Sequence, residues 1–275
     1  MRHSVSNILI LTSRINLMGF LIYIFVFVLG TVIGSFLNVV ILRYNTGFSI
    51  VNGKSKCFTC GKELEWYELI PIASFIIQKG KCNKCGSKIS WQYPLVEITT
   101  GFLFLLITKT ITGYGILAIG YYFVVFSLLI IITVYDMRHQ IIPNPFVYFF
   151  DVLAFLSLFQ ILGYGIDFSG FIAGLAFFAF FGSFWLFSKG KWMGLGDAKL
   201  ALGIGWLLGL QKGILAMLFS FWIGTIVSIF LMFFYKNKIN MKSKIAFGPF
   251  MALGILIAFL YGGDIIRYIP LFWIN

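Results

Sequence analysis

Residues 114–135 read YGILAIGYYFVVFSLLIIITVY, an apolar run that leads directly into Asp136. The run has the length of ~20 residues that an α-helix needs to cross the hydrocarbon core of a bilayer. Comparable runs recur along the chain, and we predict eight membrane spans, at 18–42, 95–108, 114–135, 142–162, 168–187, 197–210, 213–235 and 247–263. The sequence therefore predicts an all-α polytopic membrane protein of about eight transmembrane helices.

The composition excludes an ordinary soluble domain. Charged residues make up 11% of the chain and hydrophobic residues 60%, whereas a soluble domain has roughly 25% charged residues. The net charge of +12 is explained by the positive-inside rule. If the polar loop 43–94 is cytosolic and the spans alternate, all but five of the 21 lysines and arginines face the cytosol, including a cluster between the last two spans, Lys236, Lys238, Lys242 and Lys244. We expect the lipid bilayer, and not nucleic acid, as the partner.

Two aspartates stand at the ends of apolar runs. Asp136 follows the third predicted span, and Asp197 opens the sixth behind Gly194-Leu195-Gly196. Two spans separate them, so both carboxylates are predicted on the same, cytosolic, face. Pro143 biases the chain after Asp136 away from helix, and the glycines before Asp197 permit a bend or close packing. Each aspartate is therefore predicted at a break between loop and helix, within reach of water.

A pair of neighbouring carboxyl groups suits water activation. Two carboxylates close together cannot both ionise cheaply. The ionised member can take a proton from water, and the protonated member can polarise a peptide carbonyl. The alternative is that each aspartate caps a helix or pairs with a lysine such as Lys199. The shared face favours Asp136 and Asp197 as a catalytic pair.

Two further acids lie in predicted spans. Asp151 falls in the middle of the fourth span, and Glu97 near the start of the second. Either can be a proton-relay group or a hydrogen-bonded side chain between helices, and we favour the second interpretation for both. Asp151 is the main rival to Asp136 as a catalytic residue. Gly205 and Gly209 have the small-x3-small spacing that is typical of close helix packing.

The loop at 43–94 contains all the cysteines of the chain. They form two C-x2-C pairs, Cys57 with Cys60 and Cys82 with Cys85, each followed by a glycine. The spacing is close to that of a tetracysteine zinc site. Disulfides and free thiols are the alternatives, and a cytosolic location disfavours disulfides. The loop has no histidine and leaves no ligand position open, so we predict a structural zinc site.

Several segments together resemble the type IV prepilin peptidases, also called leader peptidases. They are Gly34-Ser35-Phe36-Leu37-Asn38-Val39-Val40, the two cysteine pairs, Trp66-Tyr67-Glu68-Leu69-Ile70-Pro71-Ile72, Ile89-Ser90-Trp91-Gln92-Tyr93-Pro94-Leu95-Val96-Glu97, the Asp136 and Asp197 segments, and Phe247-Gly248-Pro249-Phe250. The similarity runs from about residue 18 to 263. It implies an intramembrane aspartic protease of the bacterial inner membrane, with Asp136 and Asp197 as the catalytic pair and prepilins or pseudopilins as substrates.

The resemblance also implies details of the reaction. Cleavage would follow a glycine at the cytosolic mouth of the substrate's hydrophobic segment and release a short basic leader. Many members then methylate the new N-terminus with S-adenosylmethionine. Where many bifunctional members have Glu-Asn-Ile-Pro, this chain has Glu68-Leu69-Ile70-Pro71, a departure that bears on methyl transfer and not on proteolysis.

A basic leader needs acidic groups on an otherwise basic face. We predict that a patch in the metal loop receives it, with cation–π contact from the aromatic members. The patch consists of Glu63, Glu65, Trp66, Tyr67 and Glu68. The alternative is a solvated loop whose glutamates pair with Lys54, Lys56 or Lys62.

The sequence predicts three regions, namely an N-terminal tail with the first span (1–42), a zinc loop (43–94) and a membrane peptidase region (95–275). The competing interpretation is a transporter or assembly protein with a zinc-stapled loop, in which Asp136, Asp151 and Glu97 form an ion pathway. Clustering of the two aspartates at the cytosolic mouth favours the protease, whereas acids spread across the bilayer favour transport. A methyltransferase without peptidase activity would leave the Gly-x-Gly-Asp segment unexplained.

Overall fold

The computed structural model describes residues 2–159, 167–191, 193–234 and 245–268. Helices make up the regular structure of this part of the chain, which confirms the all-α prediction. A 3-10 turn spans Trp66–Leu69. The α-helices are α1 (Arg2–Arg43), α2 (Ala73–Ile77), α3 (Gln92–Thr110), α4 (Ile116–His139), α5 (Asn144–Leu158), α6 (Phe168–Ser188), α7 (Leu195–Phe234) and α8 (Gly248–Tyr268).

Each predicted span coincides with a helical segment. The sixth and seventh spans are the two halves of α7, which is interrupted at Gly209 (φ 72°, ψ −176°). Within the described ranges, five helices are long and apolar enough to cross a membrane, the one in α1 being Gly19–Arg43 and the others α4, α6, α7 and α8. The helix α5 falls short because it has 15 residues, and α3 mixes Glu97 and threonines into its sequence. The chain is an integral membrane protein.

The first compact unit comprises residues 1–113, in which α1 packs on α3 through glycines. A Cβ atom on Gly30 would lie 2.7 Å from the Gly101 Cα atom, and one on Gly34 would lie 2.8 Å from the Glu97 Cα atom. Small residues at such an interface let two helix backbones approach closely. Next to it, the buried Asn38 side chain donates to the Tyr93 carbonyl at 3.2 Å. These contacts place the end of α1 beside the start of α3.

The second compact unit comprises residues 114–275, with α7 packed against α5, α6 and α8. Gly205 of α7 lies directly against the backbone of Gly174 in α6, which confirms close packing at this glycine. Its predicted partner Gly209 has another role, because its positive φ breaks the helix into two segments. Four lysines of the predicted charge asymmetry lie outside the described residues: Lys236, Lys238, Lys242 and Lys244.

Candidate active site and metal-binding loop

Asp136 lies in the last turn of α4 and is buried, with 4% of its surface exposed. Its Oδ2 atom accepts a hydrogen bond from the Gly248 main-chain N–H at 2.9 Å. Gly248 is the first residue of α8, where main-chain N–H groups have no partner within the helix and carry partial positive charge. The N-terminus of α8 thus holds one oxygen of Asp136.

Asp197 lies in the first turn of α7 and is 9% exposed. Its Oδ2 atom accepts from the Gly194 N–H at 3.1 Å, so the carboxylate folds back over the turn that precedes it. Gly196 packs against Ile142, where a Cβ atom would lie 2.8 Å from the isoleucine Cβ. The Gly-x-Gly-Asp segment is therefore a tight turn wedged against the connection between α4 and α5.

The structure places the two aspartates in one region of the second unit. Each carboxylate is fixed by a main-chain N–H to Oδ2, and Gly196, the residue before Asp197, packs on Ile142, six residues after Asp136. As predicted, both stand at a junction between helix and loop. Among the described residues neither forms an ion pair. Neighbouring buried carboxyl groups do not both ionise cheaply.

Lys199 does not pair with Asp197, which was one form of the alternative interpretation. Its ammonium group donates to the Asn144 Oδ1 atom at 2.9 Å and to the Tyr148 hydroxyl at 2.8 Å, and lies 4.7 Å from the centre of the tyrosine ring. Lys199 therefore connects the start of α7 to the first turns of α5. The other form of the alternative, capping of a helix, agrees with the bonds from Gly248 and Gly194 to the two aspartates.

The other two membrane acids have separate environments. Asp151 is 6% exposed, and its Oδ1 atom lies against Gly203 of α7 without a hydrogen-bond partner in the described chain. Glu97 is buried in the first unit and accepts from the Ile72 N–H at 2.8 Å. This bond agrees with the hydrogen-bonded interpretation of Glu97. Neither acid contributes a hydrogen bond to the Asp136–Asp197 pair.

The four cysteines converge on one point. Their sulfur atoms all lie within 4.8 Å of one another, and Cys57 and Cys85 are 3.8 Å apart at Sγ. A tetrahedral ion with Zn–S bonds of ~2.3 Å requires sulfurs about 3.8 Å apart, whereas a disulfide requires ~2.05 Å. Gly61 and Gly86, which follow the pairs, adopt positive φ (68° and 71°), a conformation that glycine permits in a tight turn. The cluster thus fits structural zinc.

The predicted acidic patch divides into paired and open residues. Glu63 forms ion pairs with Lys54 at 2.9 Å and Lys56 at 3.3 Å. Glu68 is buried and accepts from Lys62 at 2.8 Å, and this hydrogen bond is the main reason that its pKa lies below its usual value. The pairing predicted by the alternative interpretation is therefore present for two of the three glutamates.

The remaining members of the patch face solvent. Glu65, Trp66 and Tyr67 are exposed, and the two aromatic rings contact each other edge to face with centroids 5.9 Å apart. The main-chain N–H of Glu65 donates to the buried Glu68 carboxylate at 3.0 Å. Glu68 therefore supports the turn, and Glu65 with the two aromatic residues forms its open surface.

The sequence analysis did not identify Gly248 as the hydrogen-bond donor to Asp136. The Gly248 N–H lies far from Asp136 in sequence, and only the Phe247-Gly248-Pro249-Phe250 segment quoted above signalled that this position matters. Fold and site together define a multi-pass membrane protein with paired buried aspartates and a four-cysteine loop.

The chain is similar to known proteins. Residues 28–111 match the Bacterial Peptidase A24 N-terminal domain, and residues 123–229 match the Type IV leader peptidase family. The prepilin leader peptidase/N-methyltransferase of Bacillus subtilis (strain 168) is 34% identical over 88% of this chain and 95% of its own length. The protein of the same description from Xanthomonas campestris pv. campestris is 31% identical over 86% of this chain and 91% of its own length. No solved structure matches. The chain belongs to the type IV leader peptidase family.

Proposed function

We propose that the protein is an intramembrane aspartic endopeptidase that removes the basic leader from type IV prepilins or pseudopilins. The observation that carries the proposal is the burial of Asp136 and Asp197 in one region of the second unit, each held at a helix end by one main-chain N–H. The names of the relatives, prepilin leader peptidase/N-methyltransferase, supply the substrate class.

The proposed chemistry needs the two carboxyl groups in different protonation states. One carboxyl group is ionised and takes a proton from a water molecule, while the other is protonated and donates to the carbonyl oxygen of the scissile peptide. The main-chain N–H groups fix Oδ2 of both residues, so Oδ1 of each is the oxygen that serves the water and the substrate. The water oxygen bonds to the carbonyl carbon as it loses its proton. That proton passes to the leaving amine nitrogen as the carbon–nitrogen bond breaks, and the other proton returns to its carboxyl group as the carbonyl re-forms.

The proposed setting is the bacterial inner membrane, with the metal loop and the aspartates on the cytosolic side. The charge distribution of the sequence supports this orientation. We propose the same three functional regions as above, 1–42, 43–94 and 95–275, although α3 packs on α1 within the first compact unit. Cleavage after a glycine at the cytosolic mouth suits aspartates located at helix ends.

A second activity belongs to the proposal, namely methylation of the new N-terminus with S-adenosylmethionine. It is supported by the names of the relatives, which include N-methyltransferase. The Glu68-Leu69-Ile70-Pro71 segment lies within the metal loop, and the Glu68 carboxylate accepts hydrogen bonds from Lys62 and Asn83. Its side chain therefore has a structural role in this chain.

The test uses purified protein and a peptide with a basic leader, a glycine and an apolar segment. Mass spectrometry of the products reports cleavage and methylation together. We expect one cut after the glycine. An intact peptide under conditions where the protein remains folded would contradict the peptidase, and a cut product without the added methyl mass would contradict the transferase alone. A transporter of the competing class would leave the peptide unchanged.

We also propose that the four cysteines hold a structural zinc ion. The purified, reduced protein is expected to contain about one zinc per chain, because the sulfur positions fit a tetrahedral ion. Replacing Cys57→Ser should release the metal and make the loop sensitive to limited proteolysis. The neighbouring Phe58→Ser change, at an exposed side chain between two ligands, should keep both metal and loop. Metal-free wild-type protein with a protected loop would contradict the proposal.

The acidic patch is proposed to receive the leader through its open members. Glu65→Gln should raise KM for a basic leader by about two- to fivefold, the size expected of one exposed ion pair, and leave a leader with neutral residues unaffected. The matched control is Glu63→Gln, because Lys54 and Lys56 already neutralise Glu63. Equal effects of Glu65→Gln on basic and neutral leaders would place leader capture elsewhere.

A further inference from the structure

We propose that the segment comprising α2 and the second cysteine turn is a membrane-surface anchor for acidic phospholipids. We call this segment, residues 73–88, the α2 anchor. Its apolar side chains would enter the headgroup layer, and its lysines would contact lipid phosphate. The inference stands on contacts within the first compact unit and does not depend on the peptidase proposal.

The apolar part of the α2 anchor is unusually open. Ile76 and Ile77 are 67% and 79% exposed, although they are adjacent isoleucines in a helix of five residues. Their neighbour Phe75 turns the other way and packs on the Trp91 ring, with centroids 4.9 Å apart. Adjacent exposed apolar side chains can form part of a contact surface. The exposed side of α2 is therefore suited to an apolar environment.

The position of α2 places that environment at the membrane boundary. The Ile72 N–H, directly before α2, donates to the Glu97 carboxylate at 2.8 Å. Glu97 lies five residues inside α3, about 7 Å along the helix axis at 1.5 Å per residue. The chain entering α2 thus reaches beside the second turn of a helix that we treat as membrane-spanning. Ile76 and Ile77 come directly after Phe75, whose ring packs on Trp91 at the residue before α3, and we therefore assign them to the level where α3 would enter the bilayer.

The connection at Ile72 is held under strain. Ile72 has φ 62°, a conformation that is costly for a β-branched residue and persists only where the surroundings impose it. Glu97 supplies the bond that fixes this residue, and the Phe75–Trp91 contact fixes the far side of α2. The two isoleucines are therefore exposed while α2 is held in place by these contacts.

The charge beside the isoleucines is complementary to acidic lipid. Lys54, Lys56 and Lys62, in the first half of the metal loop, are each paired with a glutamate. The second half has no aspartate or glutamate between Glu68 and Glu97, and its lysines are exposed and form no ion pair in the described structure: Lys79, Lys81, Lys84 and Lys88. Lysines close to an anionic membrane surface are attracted to it, and apolar and basic groups together are typical of interfacial binding.

The test is photo-crosslinking in the full-length protein. A photoreactive benzoyl-phenylalanine replaces Ile77, and the protein is reconstituted in vesicles of equal parts phosphatidylcholine and phosphatidylglycerol. Mass spectrometry of the irradiated protein identifies the adduct. We expect a lipid adduct at residue 77, enriched about threefold in phosphatidylglycerol because of the neighbouring lysines.

Two variants separate the apolar and the charged contributions. Lys79→Gln with Lys88→Gln should abolish the preference for phosphatidylglycerol while the lipid adduct remains, and zinc content checks that the loop is folded. Lys54→Gln with Lys56→Gln is the matched control and should keep the preference, because those lysines serve Glu63. Absence of a lipid adduct, or capture of an added prepilin-like peptide in its place, would overturn the proposal. Equal labelling of both lipids by protein that keeps all four lysines would also overturn it.

Discussion

Asp136→Asn and Asp197→Asn are each expected to lower leader cleavage by about 10³-fold or more, since each removes one member of the proposed general acid–base pair. Asparagine keeps the shape of the side chain and an oxygen to accept the Gly248 or Gly194 N–H. Both variants should therefore insert in the membrane and retain zinc. The measurement is the cleavage rate of a prepilin-like peptide, read by mass spectrometry.

The pair should behave as one unit. The double variant is expected to be no slower than the slower single variant, because residues that act together lose their whole contribution when one is removed. Asp151→Asn is the matched control, a buried aspartate of the same unit that lacks a hydrogen bond to the pair, and it should cleave at nearly the normal rate. Near-normal cleavage by either single variant would remove that aspartate from the mechanism. If only Asp151→Asn were inactive, the catalytic pair would have been chosen wrongly.

The second large effect is expected at the glycines that make room for the pair. Gly248→Ala should abolish most cleavage, because its Cβ atom would lie 2.7 Å from the Asp136 Oδ2 atom and would displace the carboxylate from its N–H donor. Gly196→Ala should act similarly through the Cβ atom of Ile142, which lies at 2.8 Å. Displacements of about 1 Å at catalytic groups cost on the order of 10²-fold in rate.

Gly194→Ala provides the control within the same motif. Its Cβ atom would lie 3.4 Å from the Asp197 Oδ2 atom, an ordinary contact, so cleavage should change by less than about threefold by the same geometric reasoning. The experiment compares kcat of the three alanine variants at saturating peptide. An equal loss at Gly194 and Gly196 would show that backbone freedom of the turn, and not space beside Ile142, is what the motif supplies.

The sequence by itself predicted the fold class, the clustering of the four cysteines and the location of two aspartates at helix ends. Apolar runs of span length form helices in a bilayer because their backbone N–H and C=O groups must bond to each other. The order of these runs alone predicts Asp136 and Asp197 on one face. The C-x2-C pairs are local, so their geometry depends on short turns around Gly61 and Gly86 that the sequence already contains. The same reasoning predicted eight spans; a helical segment corresponds to each, and within the described residues five helices are long and apolar enough to cross a membrane.

Tertiary structure decided everything that depends on distant partners. The Gly248 N–H reaches Asp136 only because α8 packs on α4, a contact that no local pattern encodes. The division of the acidic patch depends on Lys62 and Asn83 reaching Glu68, and Gly209 became a helix break although its spacing predicted packing. Local patterns fix what a residue can do, whereas hydrogen bonds and close contacts between distant segments fix which of those possibilities the fold uses.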